Sequence, residues 1–309
     1  MPIHFYKTLL LCAFSSTTFT AFSQNAATPV KADLTAKTDT TKKSSDKKDS
    51  FKIGINYISN NVFMGRADSV TTASIIPEIK YQLKSGIYFS ASLDIIPGRK
   101  KNKVDGGDLS LGYNFDITDD LSGGISYSKP FYSSTSTQVS SSVSSIFNAN
   151  LTYDIGDIIS PTISADYNLN KQGVTGDIFL NIGITHDFIA EGVFGNKDIL
   201  LISPTVEANS GTQNFYDGYI VYRKLKNAKR DAAETKLIAA YTSELSQYRL
   251  LDYELSLPIE YKAGMFILEF TPTYAIPENQ FQSAAIVKAL GLSSQTSVFY
   301  FDIGVSLKF

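Results

Sequence analysis

The C-terminal stretch Phe299-Tyr300-Phe301-Asp302-Ile303-Gly304-Val305-Ser306-Leu307-Lys308-Phe309 decides the fold. Its odd-numbered residues are all large and apolar, whereas the residues between them are polar, small or amphipathic. Because the side chains of a strand point alternately to its two faces, this pattern predicts a strand with one apolar and one polar face. Its length is about what a tilted strand needs to cross a bilayer.

The same alternation recurs from Phe51 onward in segments of about ten residues, separated by turn residues. It predicts an all-β fold: a transmembrane antiparallel up-and-down β-barrel over residues 51–309. Twelve strands are expected, an even number such as bacterial single-chain barrels have. The predicted strands are 51–63, 71–83, 86–97, 106–116, 121–130, 142–154, 158–169, 174–187, 198–208, 248–261, 264–275 and 297–309.

The lengths of the predicted connections alternate. If both termini lie on the periplasmic side, the even-numbered connections are periplasmic turns and the odd-numbered ones are longer extracellular loops. Two connections depart from this rule, because 170–173 is short and 188–197 is long. The short even-numbered connections centre on Lys84-Ser85, Thr118-Asp119, Gly156 and Lys262-Ala263, and the long odd-numbered ones are 98–105, 131–141, 209–247 and 276–296.

Two alternatives to this plan stay open. A soluble β-sandwich would also show alternating strands, but it would not require an export signal, an even strand count and a terminal aromatic residue together. Within the connection 209–247, residues 227–241 are rich in Ala, Lys and Glu and could form a helix over the barrel mouth. Alternatively, residues 216–222 and 236–241 could be two further strands, which would give fourteen.

The N-terminus carries the features of an export signal. A short n-region with His4 and Lys7 is followed by a brief apolar run, and Ala21-Phe22-Ser23 places small residues where a signal peptidase cleaves. We therefore predict a signal peptide over residues 1–23. The single cysteine, Cys12, lies inside it, and the bulky Leu11 before it argues against a lipoprotein. Residues 24–50 contain no aromatic residue and are predicted to be a disordered periplasmic linker.

The overall composition fits an exported barrel. The chain has 18 Tyr and 20 Phe, yet its mean hydropathy is only −0.05, as expected when alternate residues alone meet lipid. The net charge is −2, so nucleic acid is not an expected partner. A single cysteine, removed with the signal, leaves neither disulfides nor thiol chemistry. The outer membrane of a Gram-negative bacterium is the predicted location.

The polar faces of the predicted strands identify the candidate lumen residues. Most of them are carboxylates, and charge on the lipid face would cost a few kcal/mol near the midplane, so they are assigned to the interior. They could line an acidic conduit for cations or small polar solutes, or they could pair with basic groups in a filled interior. The candidates are Glu78, Lys80, Asp94, Asp108, Asp166, Asp177, Glu207, Asp252, Glu254, Glu269 and Asp302.

One predicted extracellular loop is strongly basic, with Arg99, Lys100, Lys101 and Lys103. These residues could hold phosphate groups of lipopolysaccharide, or they could simply be solvated. The expected partners are therefore outer-membrane lipid and lipopolysaccharide, together with small solutes. The aromatic C-terminal strand resembles the closing strand of bacterial outer-membrane barrels, so the barrel-assembly machinery is expected to engage it through Phe309.

An enzyme is not expected. Lipid-modifying barrels need a His–Ser or similar couple near the outer leaflet, and the one histidine outside the signal, His186, is predicted near the periplasmic end. We interpret it as an interfacial polar residue. One histidine without cysteine also gives no ordinary zinc site, so no metal and no cofactor are predicted.

Several motifs resemble the TorF-type porin family of small outer-membrane barrels. The first predicted hairpin and the strand after it contain Asn56-Tyr57-Ile58-Ser59-Asn60-Asn61, Gly65-Arg66, Pro77 and Ser85-Gly86-Ile87-Tyr88-Phe89-Ser90-Ala91-Ser92. Leu251-Asp252-Tyr253-Glu254 and Pro272-Thr273-Tyr274-Ala275-Ile276-Pro277 are similar to Bacteroidetes-type members. The resemblance implies an outer-membrane barrel and a porin-like channel for passive diffusion, without a particular substrate. The alternative is a non-conducting barrel that acts as anchor, adhesin or receptor through its long extracellular loops.

Overall fold

The computed structural model describes residues 48–67, 72–134, 136, 138–156, 158–171, 175–195, 197–215, 242–279 and 296–309. These residues form β-strands, a 3-10 helix at Val139–Ser142 and a helical turn at 242–245. In chain order, strands β1 to β17 are Ser50–Ile58, Val62–Phe63, Arg66–Ala67, Ser74–Gln82, Ile87–Ile95, Val104–Asp116, Leu121–Tyr132, Val143–Tyr153, Ser160–Asn170, Asp177–Thr185, Phe188–Glu191, Asp198–Ile202, Thr205–Gly211, Arg249–Ser256, Ile259–Ala263, Phe266–Pro277 and Val298–Lys308.

Twelve of these strands close into one ring. Their order is β1-β4-β5-β6-β7-β8-β9-β10-β13-β14-β16-β17, every neighbouring pair is antiparallel, and β17 returns to β1. At this seam the backbones of Phe51 and Phe309 exchange hydrogen bonds of 3.1 and 2.9 Å. The predicted twelve-stranded antiparallel barrel is therefore confirmed. We call the end that holds Ser50 and Phe309 the terminal end and the opposite one the loop end.

The outer surface of the ring is an apolar belt. Phe299, Ile303 and Val305 on β17 point outward and are exposed, as are alternate large apolar residues on the other ring strands. Water-soluble monomers rarely expose continuous apolar patches of this extent, so the belt is a surface for hydrocarbon. The sandwich alternative fails because these side chains are not buried between two sheets. No helix among the described residues is long and apolar enough to cross a membrane.

The first predicted strand, 51–63, is too long. Strand β1 ends at Ile58, and the chain then forms the short hairpin β2–β3, which pairs Val62 with Ala67 and Phe63 with Arg66. The hairpin reverses through Met64 and Gly65, both with positive φ. The alternation was misleading here because apolar residues continue past Ile58, although they are buried inside the barrel rather than turned to lipid.

Two predicted strands, 198–208 and 248–261, are each split in two, and the predicted strand 174–187 ends at Thr185 and is followed by a further strand. The two splits lie at Ser203-Pro204 and Leu257-Pro258, where proline has no amide hydrogen for the sheet, and His186-Asp187 separates β10 from β11. Three short strands, β11, β12 and β15, lie at the terminal end of the barrel. Strand β11 pairs with β12, β12 with β15, and β15 with β16. The long turn predicted at 188–197 was therefore wrong, since its first residues form β11.

The strand pairing also decides between twelve and fourteen strands. Strand β13 pairs directly with β14 over Thr205–Gly211, so two more strands cannot lie between them in the ring. Residues 216–241, where the helix or the extra strands were predicted, lie outside the described residues. The predicted signal peptide also lies outside the described residues, as does the predicted linker except for its last three residues.

Candidate functional site

The inward faces of the strands are densely filled. Of the eleven predicted lumen residues, Glu78 and Lys80 are partly buried, and the others are buried on the inner side of the ring. Neutral polar residues of the same faces, such as Ser164 and Asn209, are also buried. In the part of the chain that the structure describes, the interior is therefore occupied by side chains. The buried acids are Asp94, Asp108, Asp166, Asp177, Glu207, Asp252, Glu254, Glu269 and Asp302.

The hairpin β2–β3 enters the lumen from the loop end. Its turn has φ values of 49° at Met64 and 69° at Gly65, as a two-residue type I′ turn requires. Methionine is unusual in this conformation, which costs a non-glycine residue about 1–2 kcal/mol. Phe63 and Met64 nevertheless are only 2% and 1% exposed. The interior of the barrel thus holds the chain in a turn that its sequence does not favour.

The tip of the hairpin is held by apolar contacts. The ring of Phe63 lies edge-on to Phe215 and Phe179, with centroid distances of 4.7 and 5.8 Å. Val62 packs against Ala275 and Tyr300 in a small buried cluster. Phe179 points inward from β10, at a position where the neighbouring inward residues are Asp177 and Asn181. These residues form an apolar plug within an otherwise polar interior.

Arg66, next to the turn, fastens the tip of the hairpin to β14 and to the end of β16. Its guanidinium donates hydrogen bonds to the carbonyl oxygens of Met64, Leu251 and Glu278, at 2.7 Å for Leu251 and 3.1 Å for Glu278. Leu251 is the extra residue of a β-bulge, because the register passes from Asp252 to Leu250 without it. The bulge turns both Leu251 and Asp252 into the lumen, where each is fully buried.

Carboxylates gather next to the hairpin. Glu207 and Glu254 are register partners on β13 and β14, and Asp252 is one inward position away from Glu254. The Tyr300 hydroxyl donates a hydrogen bond of 3.3 Å to Glu254. A Cβ atom at Gly65 would lie 2.6 Å from the Cβ of Asp252, so the turn of the hairpin presses directly on this group. Arg66 therefore brings its positive charge into the most acidic part of the lumen.

A second acidic group lies at the loop end and includes two residues that the sequence did not identify. Gln138 donates its side-chain amide to both Asp94 and Asp105, and Arg99 forms an ion pair with Asp105. Asp105 and Gln138 fall in segments predicted as loops, where alternation says nothing about direction. Arg99, predicted as part of the basic loop, thus turns inward, while Lys100, Lys101 and Lys103 are exposed.

Elsewhere the inward acids are held mainly by neutral groups. Asp166 accepts hydrogen bonds from Asn148 at 2.8 Å and Asn181 at 3.1 Å. Towards the terminal end, Lys52 lies 3.6 Å from Glu78 and 3.8 Å from Glu269. The Lys80 ammonium lies over the ring of Tyr88 at 4.5 Å from its centroid. Carboxylates clearly outnumber ammonium and guanidinium groups on this inner face.

His186 points outward at the terminal end. Its ring contacts the carbonyl oxygen of Ile158 and lies edge-on to Phe188 at 4.3 Å between centroids. Among the described residues, no group of His, Cys, Asp and Glu is arranged to hold a metal ion. That the protein is not an enzyme stays a prediction.

Comparison with known proteins gives structural likeness only. No family model matches the chain, and no curated protein matches it. Among solved structures, the chain is similar to the KdgM porin (TM-score 0.47) and the NanC porin (TM-score 0.42), each at 10% identity over 84% of this chain and 99% and 100% of theirs. It is also similar to LpxR from Salmonella typhimurium, with a TM-score of 0.45 and 10% identity, over 84% of this chain and 99% of that one. Because these TM-scores are below 0.5, the fold assignment depends on the strand pairing and not on these comparisons.

Proposed function

We propose that the protein is a porin-like channel of a Gram-negative outer membrane that passes small polar or cationic solutes. The observation that carries this proposal is a carboxylate-rich inner face within a ring of twelve membrane-spanning strands. A barrel that served only as a membrane anchor would need no such charge inside. The apolar belt supports the membrane location, and the sequence features of export support the outer membrane.

The width of the ring is consistent with a narrow passage. Eight strands leave an interior that side chains fill, and sixteen leave an aqueous channel. Twelve strands leave room for additional material, and here the hairpin β2–β3 takes that room at the loop end. We therefore propose the hairpin as the constriction. Its withdrawal would expose a lumen wall of carboxylates, amides and hydroxyl groups.

Selectivity would come from the acidic group beside the hairpin. Glu207, Asp252 and Glu254 face the same part of the lumen, and fixed negative charge attracts cations and repels anions in a narrow pore. Arg66 offsets part of this charge while the hairpin is inserted. A channel opened by hairpin withdrawal would thus be more acidic than the closed one.

Recordings from purified protein in planar bilayers test the proposal. We expect discrete conductance steps with a preference for K⁺ over Cl⁻, and the double variant Asp252→Asn with Glu254→Gln should lower that preference severalfold. The matched control is Asp119→Asn with Asp120→Asn, which removes the same charge from an exposed turn at the terminal end. Silence at every voltage, in the wild type and in variants with a weakened hairpin, would overturn the channel.

The near-complete burial of the inward side chains favours a second candidate, a non-conducting barrel that binds a partner through its loops. This anchor, adhesin or receptor would use the long connections at the loop end, among them the one between β13 and β14. It predicts no ion flux even when the hairpin is destabilised. It also predicts that deletion of residues 216–241 abolishes binding of a partner to whole cells while the barrel still assembles.

A further inference from the structure

Among the residues that the structure describes, one lysine lies within the apolar belt. On β7 the outward-facing residues include Tyr127, Lys129 and Phe131, so the Lys129 side chain lies on the lipid-facing surface between two aromatic rings. Leu109, its register partner on β6, is 56% exposed on the same face. A lysine would cost about 2–4 kcal/mol at the bilayer midplane, and much less near the interface.

The position of Lys129 along the strand explains how it is tolerated. It lies three residues before the end of β7, and its ammonium reaches the first residues of β8 at the loop end. There it donates hydrogen bonds to the Ser144 carbonyl oxygen at 2.7 Å and the Ser145 hydroxyl at 3.3 Å. The charge is therefore fixed at the loop end of the belt rather than extended freely into water.

Three polar groups meet at this point on the outside of the barrel. The hydroxyl groups of Tyr127 and Ser145 are 3.2 Å apart, and the Lys129 ammonium touches the same Ser145 oxygen. The ring of Phe147 packs on Tyr127 at 5.1 Å between centroids and flanks the notch with apolar surface. Within the described ranges, Lys129 forms no ion pair with a carboxylate, and its two contacts are with neutral oxygens.

We propose that this notch, formed by Tyr127, Lys129 and Ser145, binds the phosphate of an anionic lipid headgroup in the leaflet at the loop end. The Ser145 hydroxyl donates to the Ser144 carbonyl oxygen and accepts from Lys129 and Tyr127, so these contacts hold the ammonium in place. The ammonium supplies the charge and its third N–H to the phosphate, and the neighbouring aromatic rings receive the upper part of the acyl chains. The lipid, rather than a soluble anion, is the expected occupant because the notch opens sideways into the belt. The proposal requires only a membrane-spanning barrel and is independent of channel activity.

Native mass spectrometry of the full mature protein in detergent tests this inference. With added dimyristoylphosphatidylglycerol or dimyristoylphosphatidylcholine, the wild type should retain the anionic lipid preferentially. One lysine near an anionic surface contributes about fivefold in affinity, so Lys129→Gln should lose about that factor while Lys129→Arg keeps it. Lys84→Gln, an exposed lysine at the terminal end, is the matched control and should behave as the wild type.

Three outcomes would overturn the proposal. The first is an unchanged lipid preference in Lys129→Gln, with heat-modified gel mobility showing that the barrel is folded. The second is a wild-type dimer that the same variant converts to monomer without a change in lipid retention, which would make a second copy of the chain the occupant. The third is displacement of the lipid by free inorganic phosphate at millimolar concentration, which would make a soluble anion the occupant.

Discussion

The guanidinium of Arg66 donates a 2.7 Å hydrogen bond to the carbonyl oxygen of Leu251, a residue 185 positions later in the chain. This bond joins the hairpin of the first loop-end connection to the bulge of β14. The Leu251 carbonyl oxygen lies at the bulge and also accepts a hydrogen bond of 2.6 Å from the Glu278 backbone N–H, so the arginine joins the hairpin to an existing contact between β14 and the end of β16. The hairpin and the wall of the lumen are therefore expected to respond together to mutation.

Arg66→Ala is expected to release the hairpin. The change removes three charge-assisted bonds to carbonyl oxygens, two of them buried, and should lower the free energy of unfolding by about 3 kcal/mol. In planar bilayers we expect a higher open probability or a larger conductance than in the wild type. Lys84→Ala, at the opposite end, should leave both quantities unchanged. Equal currents for wild type and Arg66→Ala would show that the hairpin does not obstruct the passage.

Gly65→Ala tests the contact between the hairpin and Asp252. Alanine at this positive φ costs about 1–2 kcal/mol in any turn, and here its Cβ would also meet the Cβ of Asp252 at 2.6 Å. Gly264→Ala is the matched control, since Gly264 has φ 61° and open space around it. We expect thermal unfolding in detergent to shift clearly more for Gly65→Ala, with increased conductance. Equal shifts in the two variants would contradict the tight fit of the hairpin.

Phe63→Ala should remove the largest apolar contact of the plug. Truncation of a buried phenylalanine typically costs about 3–5 kcal/mol, and Phe63 packs edge-on against two other rings. Phe194→Ala, at an 80% exposed position, should change the unfolding free energy by less than about 0.5 kcal/mol. Reversible unfolding in detergent by denaturant measures both. A loss below 1 kcal/mol for Phe63→Ala would mean that the hairpin contributes little to the folded state.

The barrel could be predicted from the sequence because its signal is repeated in every strand. Alternation in Phe299–Phe309 alone assigns two faces, and an even strand count places both termini at one end. An error of two residues in a predicted strand boundary does not change which residues are assigned to each face, because the side chains alternate with a period of two. The inward positions of Asp166, Asp252 and Glu254 follow from the same rule.

The plug could not be predicted in the same way. Val62 and Phe63 continue the apolar pattern of β1, and nothing local distinguishes an apolar residue that meets lipid from one that packs inside the barrel. Gly65 was noted only as part of a family-like motif. The contact of Arg66 with Leu251 depends on a bulge, and bulges shift the register without a clear signal in the sequence. Long-range contacts of irregular segments are thus the part that alternation misses.

Asp49 should give the terminal end a pH-dependent contact. It lies just before β1 and accepts hydrogen bonds from the Lys84 amide at 2.8 Å and the Tyr81 hydroxyl at 2.9 Å. These bonds, with the Lys84 amide first, hold the pKa of the Asp49 carboxyl below its ordinary value. A lowered pKa means that the stabilisation is fully present above the unfolded value of about 3.9 and is lost as the pH falls through the lowered pKa.

The Lys84 amide resonance in detergent micelles reports this contact. Its chemical shift should titrate with a midpoint below about 3.9 and should be constant between pH 5 and 8. Asp49→Asn should abolish the inflection, because an amide side chain does not ionise. The Leu83 amide, which donates to the Ile87 carbonyl oxygen in the same turn, is an internal control expected to show no such midpoint. A midpoint above 3.9 in the wild type would mean that the carboxylate does not accept these two bonds in solution, and that the segment before β1 is not fastened to the β4–β5 turn.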